Sequence, residues 1–105
     1  MSQAVVHGGV VYLSGQVALD SGGDSVTAQT NEVLRRIDAL LSEAGSSKSK
    51  LVTASIWLAD ISTFAEMNAV WDAWVDPQNT PARATVESKL AAPKFTVEIA
   101  VTAAV

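Results

Sequence analysis

The chain has 105 residues and a net charge of −4, and no basic run is present: Lys48 to Lys50 holds only two lysines, so nucleic acid is not an expected partner. There is no cysteine and His7 is the only histidine, which excludes disulfides, thiolate metal sites and multi-histidine sites within one chain; no apolar run nears the ~20 residues of a membrane span and no secretory signal opens the chain, so a cytoplasmic protein that does not engage membranes is expected. Hydrophobic residues make up 49% and charged residues only 17%, against ~25% in ordinary soluble chains, which is more apolar surface than a domain this small hides by itself, so a homo-oligomer is expected.

The length suits one domain, residues 1–105. Ala4 to His7 and Val10 to Gln16 read as two strands joined by Gly8-Gly9, a hairpin signal. Asp20 to Asp24 is a loop. Val26 to Ala44 carries an apolar stripe of Val26, Val33, Leu34, Ile37, Leu40, Leu41 and Ala44 at three-and-four spacing, which predicts a helix. Gly45 suits the position just past its end.

Ser46 to Lys50 is a polar connection, and Leu51 to Ala59 reads as a strand with Val52, Ala54, Ile56 and Leu58 on one face and Trp57 on the other. Asp60 is a candidate cap for a second helix, and Thr63 with Glu66 offers a capping box. That helix runs to Trp74 with the stripe Phe64, Met67, Val70, Trp71 and Trp74. Pro77 stops it, and Pro81 opens a strand.

Ala82 to Ser88 and Phe95 to Val105 are the last strands. In the final one, Phe95, Val97, Ile99, Val101, Ala103 and Val105 alternate with Lys94, Thr96, Glu98, Ala100, Thr102 and Ala104. The first set is greasy enough to lie under the helices. The second is small and mildly polar, which suits contact with another protein surface. The order β-β-α-β-α-β-β predicts an α+β domain with two helices on one face of a mixed sheet and neighbouring subunits over the other.

Few residues carry chemistry. No phosphate loop is present, because Gly8-Gly9 and Gly22-Gly23 lack the spacing, and a Ser-His-Asp set would have to use His7 at the start of the chain. Arg83 and Glu98 stand out as charges in apolar strands, costly unless paired or used. If the last two strands pair antiparallel, the two side chains come within reach of each other. They then form either a structural ion pair, within or between subunits, or a site in which Arg83 grips a carboxylate through two parallel N–H bonds and Glu98 orients water or moves a proton. Asn68 reads as a packing amide or a pocket residue, and Ser14-Gly15 as a strand-end turn or a pocket edge. Trp57, Trp71 and Trp74 suit core or interface rather than a ligand box. Glu87 fits a solvated strand.

These pieces, in order, resemble one family. Val11-Tyr12-Leu13-Ser14-Gly15-Gln16 resembles the "SGQ" signature of the Rid family, the reactive intermediate deaminases. Glu43-Ala44-Gly45 resembles the end of its first helix. Leu58-Ala59-Asp60, Phe64 and Asn68 look like its "L-x-D…F…N" segment, Pro81 to Glu87 like "PAR-x-C-V-E", and Val97-Glu98-Ile99 like "(V/I)-E-I". The resemblance covers nearly the whole chain. It implies a homotrimer with the chorismate-mutase-like fold, clefts between subunits as active sites, and hydrolysis of 2-imino acids to 2-keto acids and ammonia without metal or organic cofactor. It implies Arg83 as the substrate-carboxylate anchor, Glu98 as the acid associated with the attacking water, and Asn68, Ser14, Gly15 and Thr85 as positions lining the pocket.

Subgroups of that family lacking the arginine are not expected to deaminate imines. Two positions depart from the pattern: Thr85 stands where the family cysteine lies, and Met1 falls where the tyrosine of "G-P-Y-S-x-A" would be. Two other functions use the same clefts or the same family: a non-catalytic binding module for small carboxylates, and an RNA-cleaving translation inhibitor, which the acidic charge disfavours.

Overall fold

In a computed structural model that describes residues 1–105, one sheet carries two helices on a single face. Strands β1 (Ala4–His7) and β2 (Val10–Leu13) form the expected hairpin, closed by Gly8 and Gly9 at φ of +59° and +78°. Two successive positive φ values make the tight turn whose twist matches the flanking strands, and glycine adopts them without steric cost. The expected second strand is split: it stops at Leu13 and resumes as the two-residue β3 (Gln16–Val17).

Helix α1 (Val26–Glu43) begins at Ser25, whose hydroxyl accepts from the N–H of Ala28 at 3.1 Å. It ends as its sequence implies. Gly45 sits at φ +78°, the Ser46 N–H bonds the Leu41 carbonyl at 2.8 Å, and the Gly45 N–H bonds Ser42 at 3.1 Å, so the last turn's carbonyls are satisfied. The stripe residues Val26, Val33, Leu34, Ile37 and Leu41 are buried, with Leu40 and Ala44 packed at the margin.

Strand β4 (Leu51–Leu58) comes next, helix α2 (Phe64–Trp74) follows, and β5 (Ala82–Glu87) and β6 (Val97–Ala104), the middle strand of the sheet, complete the chain. The sheet order is β1-β2-β6-β4-β5, with β3 also on β6. Only β4 and β5 are parallel, joined through α2 in the crossover that a parallel pair requires. The sheet is therefore mixed, as expected.

Three expectations need correction. The last two strands do not pair: β5 and β6 flank β4 on opposite sides. Their connection is short, but it has only to cross one intervening strand, about 10 Å at ~4.8 Å per strand, which nine residues do easily. Val52 is exposed and Leu51 buried, because an irregularity between Leu51 and Thr53 shifts the alternation by one. The capping box of Thr63 and Glu66 is not formed. Asp60 instead caps a short 3-10 turn (Ile61–Thr63), and the Glu66 carboxylate reaches across to accept from the N–H and hydroxyl of Thr27 at 3.0 and 2.9 Å in the first turn of α1. An acid there complements the helix dipole.

The core lies between helices and sheet. Strand β6 alternates strictly: Val97, Ile99, Val101 and Ala103 are buried under the helices, and Glu98, Ala100, Thr102 and Ala104 are half-exposed on the far face. Strand pairing places Val5, Tyr12, Thr53, Ser55, Trp57, Ala84 and Val86 on that same far face. Val5, Tyr12 and Val86 are each about half exposed, and Glu98 is the only charged side chain there.

Candidate functional site

Arg83 lies on the helix side of the sheet. It pairs with Ala54, a core residue, and its guanidinium carbon sits 5.2 Å from the ring centre of Trp71 and 5.6 Å from that of Phe64, both on α2. Residues 64, 68 and 71 share one stripe of that helix, so Asn68 belongs to the same wall. Strand alternation puts Thr85 beside Arg83 on the same face. The guanidinium engages no carboxylate of its own chain: both ion pairs of the molecule belong to Arg36. The Asn68 Oδ1 and Thr85 Oγ1 atoms are buried with no hydrogen-bond partner, while the Asn68 amide nitrogen donates to Asp72 at 3.2 Å. The half-buried guanidinium thus lies near two aromatic rings, on the same side of the sheet as two side-chain oxygens that have no hydrogen-bond partner within the chain.

Glu98 lies on the opposite face. It pairs with Trp57 on β4 and with Val17 on β3. Gly15 packs directly on it: a Cβ added at Gly15 would stand 2.9 Å from the Glu98 carboxyl carbon, closer than real atoms come. Ser14 precedes Gly15 in the same strand break. The structure thus sorts the expected site residues into two groups, Arg83 with Asn68 and Thr85 on one side, and Glu98 with Ser14 and Gly15 on the other. An ion pair between Arg83 and Glu98 within the chain is ruled out, since β4 separates their strands and the side chains leave opposite faces.

The two concavities of the chain lie elsewhere, each about 550 Å³. One is at the sheet end among Ala59, Glu87, Lys89, Pro93 and Phe95, the other between the helices beside Lys48, Glu66 and Trp74. Glu87 is not simply solvated, since its carboxylate accepts from the Ile61 N–H at 3.1 Å. No group of three or more His, Asp or Glu side chains is placed to hold a metal ion, and no helix is long and apolar enough to cross a membrane.

Several polar residues that the apolar periodicity concealed hold the scaffold around these groups. Gln29, fully buried on α1, donates to the carbonyls of Asp24 at 3.0 Å and Lys94 at 2.9 Å and accepts from the Thr96 N–H at 2.9 Å, so it fixes the approach to β6 two residues before Glu98. Glu32, 4% exposed, is opposed by burial yet stays charged. The Ser21 hydroxyl at 2.6 Å, the N–H of Asp20 at 3.1 Å, Arg36 at 2.6 Å and the N–H of Ser21 at 2.7 Å outweigh that burial and hold its carboxyl at about 2. The one trace of both in the sequence is their place on the flank of an otherwise apolar helical stripe, which does not distinguish them from solvated residues.

The comparisons with known proteins agree with the motifs. The family model described as endoribonuclease L-PSP matches residues 1–105. A RutC family protein of Haemophilus influenzae is 45% identical over 103 residues, covering 98% of this chain and 89% of that protein. The RutC family protein YoaB of Escherichia coli (strain K12) is 44% identical over 105 residues, 99% of this chain and 90% of the relative. Among solved structures, NMB1025 of Neisseria meningitidis, a member of the YjgF protein family, superposes with a TM-score of 0.95 at 47% identity, over 99% of this chain and 86% of that one. The chain belongs to this L-PSP family of RutC- and YjgF-type proteins, the group that its motifs resemble under the name Rid.

Proposed function

We propose that the protein hydrolyses reactive 2-imino acids to 2-keto acids and ammonia, in clefts formed between copies of a homotrimer, in the cytoplasm and without a cofactor. The observation that carries this reading is the guanidinium of Arg83, near the rings of Phe64 and Trp71 and with no acid of its own chain to neutralise it. A planar fork of N–H donors in that state matches a carboxylate bidentately.

A second observation supports a site completed by another copy. Glu98 leaves the opposite face of the sheet, with Gly15 packed on its carboxylate and Ser14 next in the chain, and that face is uncovered and carries no other charge. A face of that kind is stable in water only when another surface covers it. A heterologous ring, in which the far face of one subunit meets the Arg83 side of the next, brings both groups together and closes on itself.

The chemistry needs little more. The C=N carbon of an imine is electrophilic. Water adds to it as the Glu98 carboxylate takes one of its protons. The substrate nitrogen enters protonated, as the iminium, so this addition leaves a neutral carbinolamine; Glu98 returns its proton to that nitrogen, the C–N bond breaks to release ammonia, and the hydroxyl proton passes to the Glu98 carboxylate as the oxygen becomes the keto group. Fixing the carboxylate on Arg83 and the water at Glu98 supplies proximity, which is worth several kcal/mol. The Thr85 hydroxyl can donate to the anchored carboxylate, and Asn68 Oδ1 can accept from the substrate's N–H. The test is ammonia release from freshly generated 2-imino acids. Acceleration over the spontaneous reaction supports the reading; binding of 2-keto acids without acceleration would make the protein a carboxylate-binding module instead.

A further inference from the structure

Between β2 and β3 the chain takes one residue more than its partner strand. Tyr12 faces Thr102 and Gln16 faces Ile99, so four steps along one strand match three along β6. The extra residue makes Ser14-Gly15 a bulge, a device that re-aims side chains and interrupts the ladder. Here the bulge presses Gly15 onto the Glu98 carboxylate.

Something must hold that bulge, because it leaves backbone groups without ladder partners. The N-terminal segment does so. The Ser14 N–H donates to the Gln3 carbonyl at 2.9 Å, and the Ser14 hydroxyl donates to Gln3 Oε1 at 3.1 Å. The side-chain amide of Gln16, which is only 7% exposed, donates to Gln3 Oε1 at 2.8 Å and is shared with the Ser14 carbonyl at 3.2 Å and the Ser14 hydroxyl at 3.1 Å. One amide thus ties the start of the chain to both ends of the bulge.

We infer that Gln3 and Gln16 form a clasp that positions Glu98: by locking the Ser14-Gly15 bulge they hold Gly15 against the carboxylate and fix where that carboxylate stands. They are positioning residues, with no expected contact to the ligand. The inference rests on the reading of Glu98 as the acid that handles water.

The test compares three variants: Gln16→Met, which keeps the length but removes the donor; Gln3→Met, which removes the acceptor; and Gln3→Glu, which keeps an acceptor oxygen. Three readouts are taken: the carboxyl carbon signal of Glu98 with the exchange rate of the Ser14 amide by NMR, binding of a 2-keto acid, and kcat for imine hydrolysis. The clasp predicts that both Met variants shift the Glu98 signal and speed Ser14 exchange, and that kcat falls about tenfold while keto-acid binding stays within about twofold, the pattern of a lost transition-state interaction. Gln3→Glu should restore all three. Gln3 is exposed at the edge of the fold, so Gln3→Met is expected to fold and decides the matter if Gln16→Met does not. An unmoved Glu98 signal and unmoved Ser14 exchange in folded Gln3→Met overturn the clasp. A wild-type protein that hydrolyses no imine defeats the proposed function instead, and the NMR readouts still judge the clasp.

Discussion

Arg83 and Glu98 leave opposite faces of one sheet, with β4 between their strands. Neither is paired with a charge of its own chain. The arrangement has no structural use within a monomer, since an unpaired charge among apolar neighbours costs free energy. In the proposed oligomer two copies meet, one offering the cation and the other the acid.

Arg83 should be needed for ligand rather than for folding. Arg83→Ala and Arg83→Lys should both weaken 2-keto acid binding about a hundredfold, the loss of two charge-assisted hydrogen bonds at roughly 1.5 kcal/mol each. Lysine does not rescue, because it lacks the planar fork. The cost to stability should stay near the ~1 kcal/mol of the cation–π contacts with Phe64 and Trp71. Calorimetric titration with thermal unfolding separates the two effects. Dissociation of the oligomer in Arg83→Ala would show instead that the arginine braces the interface.

Glu98→Gln should lower turnover at least about tenfold while 2-keto acid binding is retained, the signature of an interaction made in the chemical step. Side-by-side measurement of binding and imine hydrolysis decides it. Parallel losses in both would mark Glu98 as a partner of the anchoring arginine rather than as the acid that handles water.

Gly15→Ala should disable the site without unfolding the protein. The new methyl group meets the far end of the Glu98 side chain, not backbone, so the carboxylate swings away at a stability cost below about 1 kcal/mol. Turnover should drop as far as in Glu98→Gln. A Gly15→Ala enzyme of normal turnover would mean that the placement of this carboxylate does not matter.

Glu32 predicts an acid-sensitive fold. Its carboxyl is held at about 2 against an ordinary 4.5. A lowered folded value contributes stability that is complete above pH 4.5 and is lost as the pH falls toward 2. Glu32→Gln should therefore be less stable at pH 7 by about 1.5–3 kcal/mol, the range for hydrogen bonds to a charged group. Urea unfolding at pH 7, 4 and 3 should show the gap to wild type narrowing as the pH falls; a constant gap would contradict the charged network.

Much of this was legible in the chain itself. The two periodicities placed the helices and strands, Gly8-Gly9 and Gly45 marked their turns, and the alternation along β6 marked its buried and half-exposed faces. Long-range pairing was not legible. The short link after Ser88 suggests a hairpin, yet the crossover through α2 makes β5 parallel to β4 and sends β6 to the far side. With that, the expected meeting of Arg83 and Glu98 in one chain disappears. The bulge at Ser14-Gly15 was hidden because one extra residue leaves no mark on composition, and Gln3, Gln16, Gln29 and Glu32 were hidden because amides and acids read as surface until their partners are known.

The most direct test of the central claim mixes two dead proteins. Arg83→Ala supplies an intact Glu98 face and Glu98→Gln an intact Arg83 side. Co-refolded in equal amounts, they should regain about a quarter of wild-type imine hydrolysis, the share of interfaces in a randomly mixed heterologous ring that receive both intact groups. Mixed subunits with no activity above that of the separate variants, while wild type refolded in the same way recovers its own, would contradict a site shared between copies.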